Sequence, residues 1–178
     1  MTNTLQKATL GMGCFWCSEA VFQQLKGIKK VTSGYSGGEL PHPSYDEVSA
    51  GNTGHAEVIQ IEFDSQEISY EEILYVFWHI HNPTTLNKQG ADVGTQYRSV
   101  IFFHNNEQKI IAEKTKQEIQ KEYEDLIVTE ISPYTSFYEA EDYHKNYYKD
   151  NREYPYCQIV IDPKIQKLKL IAKNHLVP

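Results

Sequence analysis

Two of the three cysteines in this sequence stand close together, in residues 11–17 (GMGCFWC). The stretch joins a strand-like segment to a helix-like one. Cys14 therefore falls near a helix N-terminus, where the helix dipole and free N–H groups lower the pKa of a thiol. Cys17 lies about one helical turn further on, so its thiol could reach Cys14 after a modest local movement. A Cys-x-x-Cys pair in this position predicts redox chemistry with a depressed pKa at Cys14, whereas two buried cysteines that only fill space are the alternative.

A glutamate in residues 54–57 (GHAE) is a candidate proton donor. Glu57 alternates with Ile59, Ile61 and Phe63, which predicts that all four side chains share one face of a strand. A carboxyl group on an apolar face is costly to ionise, so its pKa rises and it could donate a proton near neutral pH. A strand-end glutamate that turns to solvent explains the same pattern equally well.

The composition excludes several classes of function. The chain has 178 residues, 40% of them hydrophobic and 23% charged, which predicts one globular domain over residues 1–178. Its net charge of -7 gives no general attraction to nucleic acid or to an anionic membrane. Residues 1–13 lack the features of a signal peptide, and no segment is long and apolar enough to span a bilayer. We therefore expect a cytoplasmic protein whose three cysteines serve catalytic or redox chemistry, and the 13 tyrosines hint at an aromatic-lined pocket.

Alternating strands and helices must position these groups. Strands are predicted at residues 7–11, 28–35, 57–63, 97–103 and 126–131, and residues 40–54 are predicted to be a loop. Helices are predicted over residues 15–25 and 107–123, after a capping box formed by Ser69 and Glu72, and from Asp162 and Pro163 onward. The alternation predicts helices covering a mixed sheet in an α/β or α+β sandwich, but it does not fix the topology.

Four stretches of the sequence together resemble the methionine sulfoxide reductase A family. In family order they are residues 13–16 (GCFW), 54–57 (GHAE), 94–99 (GTQYRS) and 138–144 (YEAEDYH). The likeness runs from about Ala8 to Lys164, nearly the whole chain. It implies a two-layer sandwich with a mixed β-sheet and a ferredoxin-like core, and it implies reduction of the S epimer of methionine sulfoxide.

The resemblance also implies roles for individual residues. Cys14 matches the nucleophile that attacks the sulfoxide sulfur, and Glu57 matches the acid that protonates the sulfoxide oxygen. Tyr45 and Tyr97 match the tyrosines that orient this oxygen, and Asp92 matches an aspartate of the site. Reduction by a thiol also requires such a carboxyl group, because the oxygen leaves only when it is protonated.

The aromatic pair Phe15 and Trp16 matches the residues that hold the substrate methyl group, and the resolving thiol is the open question. Attack leaves Cys14 as a sulfenic acid, which a second thiol converts to a disulfide. Many relatives have glycine in place of Cys17 and carry the resolving cysteine in a glycine-rich C-terminal tail. The residues after Cys157 are apolar instead, so Cys157 is either a packed thiol or a resolver. We favour Cys17 because it is close in sequence.

The expected partners follow from the same resemblance. Thioredoxin would reduce the disulfide, and the substrates would be oxidised proteins and free methionine sulfoxide. We expect a monomer with no cofactor and no nucleic-acid or membrane partner. No metal is expected, because His79 and His81 point to different faces of a helix. We expect His144 to support the site through a hydrogen bond rather than to take part in catalysis.

Two other functions fit part of the pattern. A thiol–disulfide oxidoreductase could use Cys14 and Cys17 as a dithiol pair, and it would reduce insulin without turning over methionine sulfoxide. An oxidant sensor without enzymatic activity would need Cys14 and a resolving thiol. Neither function has a use for Glu57, Tyr45 and Tyr97 together.

Overall fold

A six-stranded sheet organises the computed structural model, which describes residues 4–177. Its strands are β1 (Leu5–Met12), β2 (Ile28–Ser36), β3 (Ala56–Asp64), β6 (Ser99–Phe103), β7 (Glu130–Pro133) and β8 (Phe137–Glu139). The strand order is β7-β6-β1-β3-β2-β8, and β6 and β7 are parallel while the other neighbours are antiparallel. The predicted mixed sheet is confirmed. Two short strands, β4 (Lys88–Gln89) and β5 (Asp92–Val93), form a separate antiparallel pair.

The helices are α1 (Phe15–Phe22), α2 (Tyr45–Ser49), α3 (Tyr70–Ile80), α4 (Asn106–Ile119), α5 (Tyr147–Asp150) and α6 (Asp162–Ile171). The capping box predicted from Ser69 and Glu72 begins α3, since each residue bonds the backbone N–H of the other. Among the described helices, none has the length and apolar character needed to cross a membrane.

The order of elements in the centre of the sheet is that of a ferredoxin-like fold. The sequence β1-α1-β2-β3-α3-β6 places its strands in the spatial order β6-β1-β3-β2. The main core lies between the helices and one face of this sheet. A small cluster of Ala56, Val58, Val100 and Phe102 covers part of the opposite face. The two-layer prediction is therefore confirmed.

Strand β3 confirms the predicted alternation that points Glu57 inward. Glu57, Ile59, Ile61 and Phe63 are all buried, while Gln60 between them is half-buried. Pairing of β3 with β1 and β2 on its two sides makes it a central strand. Glu57 consequently starts from the middle of the sheet and faces the helical layer.

Several predicted boundaries were wrong, including that of the helix predicted over residues 107–123, which ends at Ile119. The strand predicted at residues 126–131 starts only at Glu130, because the Ile127 and Val128 N–H groups donate to Gln120 Oε1 and to the Pro83 carbonyl. The helix predicted over residues 15–25 ends at Phe22, and a turn follows it. The strand predicted from Tyr97 starts at Ser99, since residues 95–97 form a 3₁₀ turn.

Two segments are more helical than their sequences indicated. The predicted loop at residues 40–54 contains α2, which begins at a capping box formed by Ser44 and Glu47. The last helix, α6, begins at Asp162 as predicted, but a π-helical turn over Cys157–Ile161 precedes it and continues directly into it. A wider turn at this point accommodates Pro163, which lacks an N–H and would otherwise crowd the preceding turn.

Candidate active site

Side chains from five parts of the chain meet in a cavity of about 120 Å³ at the N-terminus of α1. It is lined by Cys14, Phe15, Trp16, Tyr45, Glu57, Asp92, Tyr97 and Tyr156. The structure thus brings together seven of the residues singled out in the sequence and adds Tyr156. Its volume is roughly four times the ~30 Å³ share of one water molecule in the liquid, which suits a small polar head group.

Cys14 is the residue just before α1 and is half-buried at the cavity wall. Its carbonyl accepts the first bonds of the helix, from the N–H groups of Cys17 and Ser18. Gly13 precedes it with a φ of 93°, and a Cβ there would lie 2.8 Å from the Gln89 side chain. Only glycine therefore allows the chain to turn here while Gln89 packs against it.

The prediction of a depressed pKa at Cys14 was wrong. Burial raises the pKa of this thiol well above its ordinary value, and the hydrogen bond with Cys17 and the charge of Glu57 act in the same direction. The helix N-terminus does not compensate, because the Cys14 side chain makes no capping bond. Instead, the Phe15 N–H donates to Glu57 Oε2 at 3.0 Å. The first N–H group of the helix thus binds the Glu57 carboxyl group rather than the Cys14 sulfur.

Glu57 is 2% exposed. Burial raises its pKa to about 8, against the opposing effect of the hydrogen bond from Phe15, and the charge of Asp92 raises it further. The carboxyl group is therefore mostly protonated at neutral pH and holds a proton at the cavity wall. This resolves the alternative left open by the sequence, since Glu57 faces the cavity and not the solvent.

Two tyrosine hydroxyls complete the polar side of the cavity. Tyr45 begins α2, and its backbone N–H donates to Glu141 Oε2 at 3.2 Å. Tyr97 ends the 3₁₀ turn that begins after Gly94. Burial and the charge of Glu57 raise the pKa of both tyrosines, so both hydroxyls remain protonated and able to donate.

An aromatic wall forms the other side. Phe15 is 1% exposed, and Trp16 stacks on Tyr147 with ring centroids 3.6 Å apart. The Trp16 Nε1–H donates to His144 Nδ1 at 3.0 Å, so His144 holds the indole ring in place. This confirms that His144 makes the hydrogen bond to the site that was expected from the sequence. Burial lowers its pKa, which keeps the ring neutral and able to accept this bond.

Sequence analysis missed Tyr156. Its hydroxyl donates to Asp92 Oδ2 at 3.1 Å and lies 3.7 Å from Cys17 Sγ. It lies just before the π-helical turn, far from the other site residues in sequence. The excess of tyrosines was the available signal, and it indicated a pocket without indicating which tyrosines line it.

The remaining two cysteines do not line the cavity. Cys17 is 3% exposed and hydrogen-bonds Cys14, which lowers the pKa of Cys17 to about 7 although burial opposes the shift. Cys157 has no exposed surface. Burial raises its pKa, and the nearby charge of Cys17 raises it further. The three cysteines are free thiols in this structure.

Other features of the described chain offer no comparable chemistry. A larger open depression of about 860 Å³ is lined by residues 37–41, 52–54 and Glu47, none of which is a thiol or a buried acid. Within residues 4–177, no cluster of histidine, cysteine and acidic residues has the arrangement of a metal site. His79 and His81 have separate partners, since His81 bonds the Phe77 carbonyl and Ser99 while His79 bonds the Tyr75 carbonyl.

Comparisons with known proteins agree with this geometry. The sequence profile described as "Peptide methionine sulfoxide reductase" matches residues 6–175. A relative named "Peptide methionine sulfoxide reductase MsrA" from Saccharolobus solfataricus is 55% identical over 163 residues, which are 92% of each chain.

Two solved structures of Mxr1 from Saccharomyces cerevisiae are also similar. Its reduced form has a TM-score of 0.81 and 34% identity, and the match covers 88% of this chain and 91% of Mxr1. Mxr1 in complex with Trx2 has a TM-score of 0.57 and 25% identity, and the match covers 83% and 87% of the two chains.

Proposed function

The chain belongs to the peptide methionine sulfoxide reductase family, and we propose that Cys14 is the thiol through which it acts. The protein is an oxidoreductase that reduces methionine sulfoxide. The observation that carries the proposed role is the meeting of Cys14 and the protonated Glu57 at one small cavity. A thiol and a proton donor facing the same space are the two groups that removal of a sulfoxide oxygen requires.

In the first step the sulfoxide oxygen passes to Cys14. The Cys14 sulfur attacks the sulfoxide sulfur, Glu57 protonates the oxygen, and the S–O bond of the substrate breaks as an S–OH bond forms on Cys14. The proton that leaves the Cys14 thiol replaces the one given by Glu57. One sulfoxide and one thiol thus give one thioether and one sulfenic acid, with no net change in protons.

The cavity supplies a fixed orientation for this step. The Tyr45 and Tyr97 hydroxyls donate to the sulfoxide oxygen and hold it next to Glu57. Phe15 and Trp16 receive the methyl group, since they form the apolar side of the cavity. Exchanging the oxygen and the methyl group would place each against the wrong wall, so one epimer should fit better than the other. We propose that this is the S epimer, as the family resemblance implies.

Cys17 is the resolving thiol in this proposal. It hydrogen-bonds Cys14 and lies beside it at the start of α1. The Cys17 sulfur attacks the sulfenic sulfur of Cys14, a disulfide forms, and the oxygen leaves as water. Cys157 has no exposed surface and lines no part of the cavity, which supports a packing role.

Thioredoxin is the proposed reductant of the Cys14–Cys17 disulfide. The similarity to Mxr1, which has been solved in complex with Trx2, supports this partner. Its dithiol would restore both cysteines and leave as a disulfide. We place the reaction in the cytoplasm, because three free thiols and a thioredoxin cycle require a reducing compartment. We also propose that residues 1–178 act as a single catalytic domain, since the cavity draws residues from both halves of the chain.

A single-turnover experiment tests the proposed roles. The reduced enzyme is mixed with a peptide that contains methionine sulfoxide, in the absence of any reductant. We expect one equivalent of methionine per enzyme, loss of two thiols, and a Cys14–Cys17 link on peptide mapping. A Cys14–Cys157 link would contradict the resolving role of Cys17. Rapid insulin reduction without methionine formation would contradict the proposed role of Cys14 and favour a thiol–disulfide oxidoreductase.

A further inference from the structure

The Tyr156 hydroxyl contacts both thiols that disulfide formation would join. It is 3.7 Å from Cys17 Sγ and 3.1 Å from Asp92 Oδ2, and it also hydrogen-bonds the Cys14 thiol. Trp16 packs against the Tyr156 ring edge-on, with centroids 5.7 Å apart. The hydroxyl therefore connects both thiols to a carboxylate at the cavity wall.

The direction of these hydrogen bonds follows from their donors. A tyrosine hydroxyl has one proton, and Tyr156 gives it to Asp92, because a carboxylate only accepts. With that proton donated to Asp92, the Tyr156 oxygen can only accept from Cys17, and the 3.7 Å contact allows the thiol to be the donor. A continuous chain of donors thus runs from Cys17 through Tyr156 to Asp92.

We propose that Tyr156 is a catalytic residue of the resolving step, which relays the proton of Cys17 to Asp92. The inference rests on the proposed role of Cys17 as the resolving thiol. As the Cys17 sulfur forms its bond to Cys14, the Cys17 proton passes to the Tyr156 oxygen and the Tyr156 proton passes to Asp92. Asp92 lines the same cavity and gives the proton to the departing oxygen, which leaves as water. One S–S bond forms, one S–O bond breaks, and no external proton is consumed.

The position of Tyr156 fits a relay rather than a base that ionises. Burial and the nearby thiols raise the pKa of its hydroxyl, so Tyr156 does not lose its proton before the step. It can only exchange one proton for another within an existing chain of hydrogen bonds. The backbone at Tyr156 is also held in one position, since the π-helical turn that follows it continues directly into α6.

The test separates the two chemical steps in the variant Tyr156→Phe, which keeps the ring and removes the hydroxyl. Rapid quench after one turnover measures methionine formation, and a sulfenic-acid trap together with thiol counting measures disulfide formation. We expect the rate of disulfide formation to fall by about 10²-fold. This factor should be at least about ten times the factor by which the rate of methionine formation falls. At pH values below the pKa of Cys17, the rate of disulfide formation in the variant should increase about tenfold for each unit by which the pH is raised. The reason is that only the preformed Cys17 thiolate then reacts.

The controls distinguish this inference from the proposal on which it rests. Tyr154→Phe removes the hydroxyl of an exposed tyrosine in the same segment and should change neither step. If Cys17→Ser still forms a disulfide, Cys17 is not the resolver and both ideas fail. If Cys17→Ser is blocked but Tyr156→Phe forms the disulfide at the wild-type rate, the relay alone is wrong. Equal slowing of both steps with an unchanged pH profile would also overturn the relay, because it indicates that Tyr156 only shapes the cavity.

Discussion

Two regions around α1 contain the same pair of groups, a buried glutamate and a cysteine whose pKa is raised by burial. The first pair is Glu57 and Cys14, at the cavity. The second is Glu19 and Cys157, which both border Tyr147 on the helical side of the molecule. Burial raises the pKa of both glutamates. Residue type and burial alone therefore do not distinguish an active site from the interior.

The regions differ in what surrounds the groups. Two backbone N–H groups, of Asn146 and Tyr147, bind the Glu19 carboxyl, whereas Glu57 receives one, from Phe15. Neither Glu19 nor Cys157 lines the catalytic cavity, while Glu57 and Cys14 share it with two tyrosine hydroxyls. The first region can therefore act on a substrate because its carboxyl group, Glu57, carries a proton and faces an open cavity.

The largest expected difference between the regions is at the cysteines. We expect Cys14→Ser to reduce methionine formation below about a tenth of the wild-type rate, because a serine hydroxyl is a far weaker nucleophile than a thiol. Cys157→Ser should stay within about threefold, since a buried structural thiol is inert. Turnover of a methionine sulfoxide peptide, with circular dichroism to confirm folding, measures both. Substantial activity in a folded Cys14→Ser variant would remove the proposed nucleophile.

The glutamates should differ next. Glu57→Gln should lower the rate of methionine formation by about 10²–10⁴, the usual contribution of a positioned general acid. The loss should shrink at low pH, where the solvent can protonate the oxygen. Glu19→Gln is the matched control, because it changes another buried carboxyl with a raised pKa, and its rate should be close to that of the wild type. Equal rates for the two variants would contradict the comparison.

Recycling of the enzyme should distinguish Cys17 from Cys157. With thioredoxin as the reductant, Cys17→Ser should slow steady-state turnover by at least about tenfold, because its Cys14 sulfenic acid has no neighbouring thiol to form the disulfide that thioredoxin reduces. Cys157→Ser should recycle normally. A sulfenic-acid trap should label Cys14 in Cys17→Ser after one turnover and leave it unlabelled in Cys157→Ser. The opposite pattern of labelling would make Cys157 the resolver.

The sequence predicted groups that lie on regular patterns and missed those that depend on tertiary contacts. Period-two alternation gave the face of Glu57 correctly, because β3 is a central strand with one face in the core. The pKa of Cys14 was predicted with the wrong sign, because the sequence does not show that burial of the thiol outweighs the helix N-terminus. Nor does it show that the Phe15 N–H is taken by Glu57. Tyr156 was missed because a π-helical turn that no local pattern predicts follows it. The family resemblance, rather than any periodicity, indicated Tyr45, Tyr97 and Asp92.

The last expected effect is on stability rather than on rate, and it follows from the Glu57 proton. A glutamate whose pKa is 4.5 when exposed and about 8 when folded binds its proton more tightly in the folded state. Its contribution to stability is therefore fully present below about pH 4.5 and is lost as the pH rises through about 8. At about 1.36 kcal/mol per pKa unit, the full effect is on the order of 5 kcal/mol.

Glu57→Gln removes this titration, so its free energy of unfolding should fall less between pH 5 and pH 9 than that of the wild type. Urea unfolding of both proteins at the two pH values measures the difference. Glu19→Gln should differ less from the wild type in this loss of stability. The reason is that the wild-type Glu19 carboxyl accepts from two backbone donors, which favour its charged form. A wild-type protein that loses no more stability than Glu57→Gln over this range would show that Glu57 is already ionised at neutral pH. It would then hold no proton to give, and the chemical distinction between the two regions would disappear.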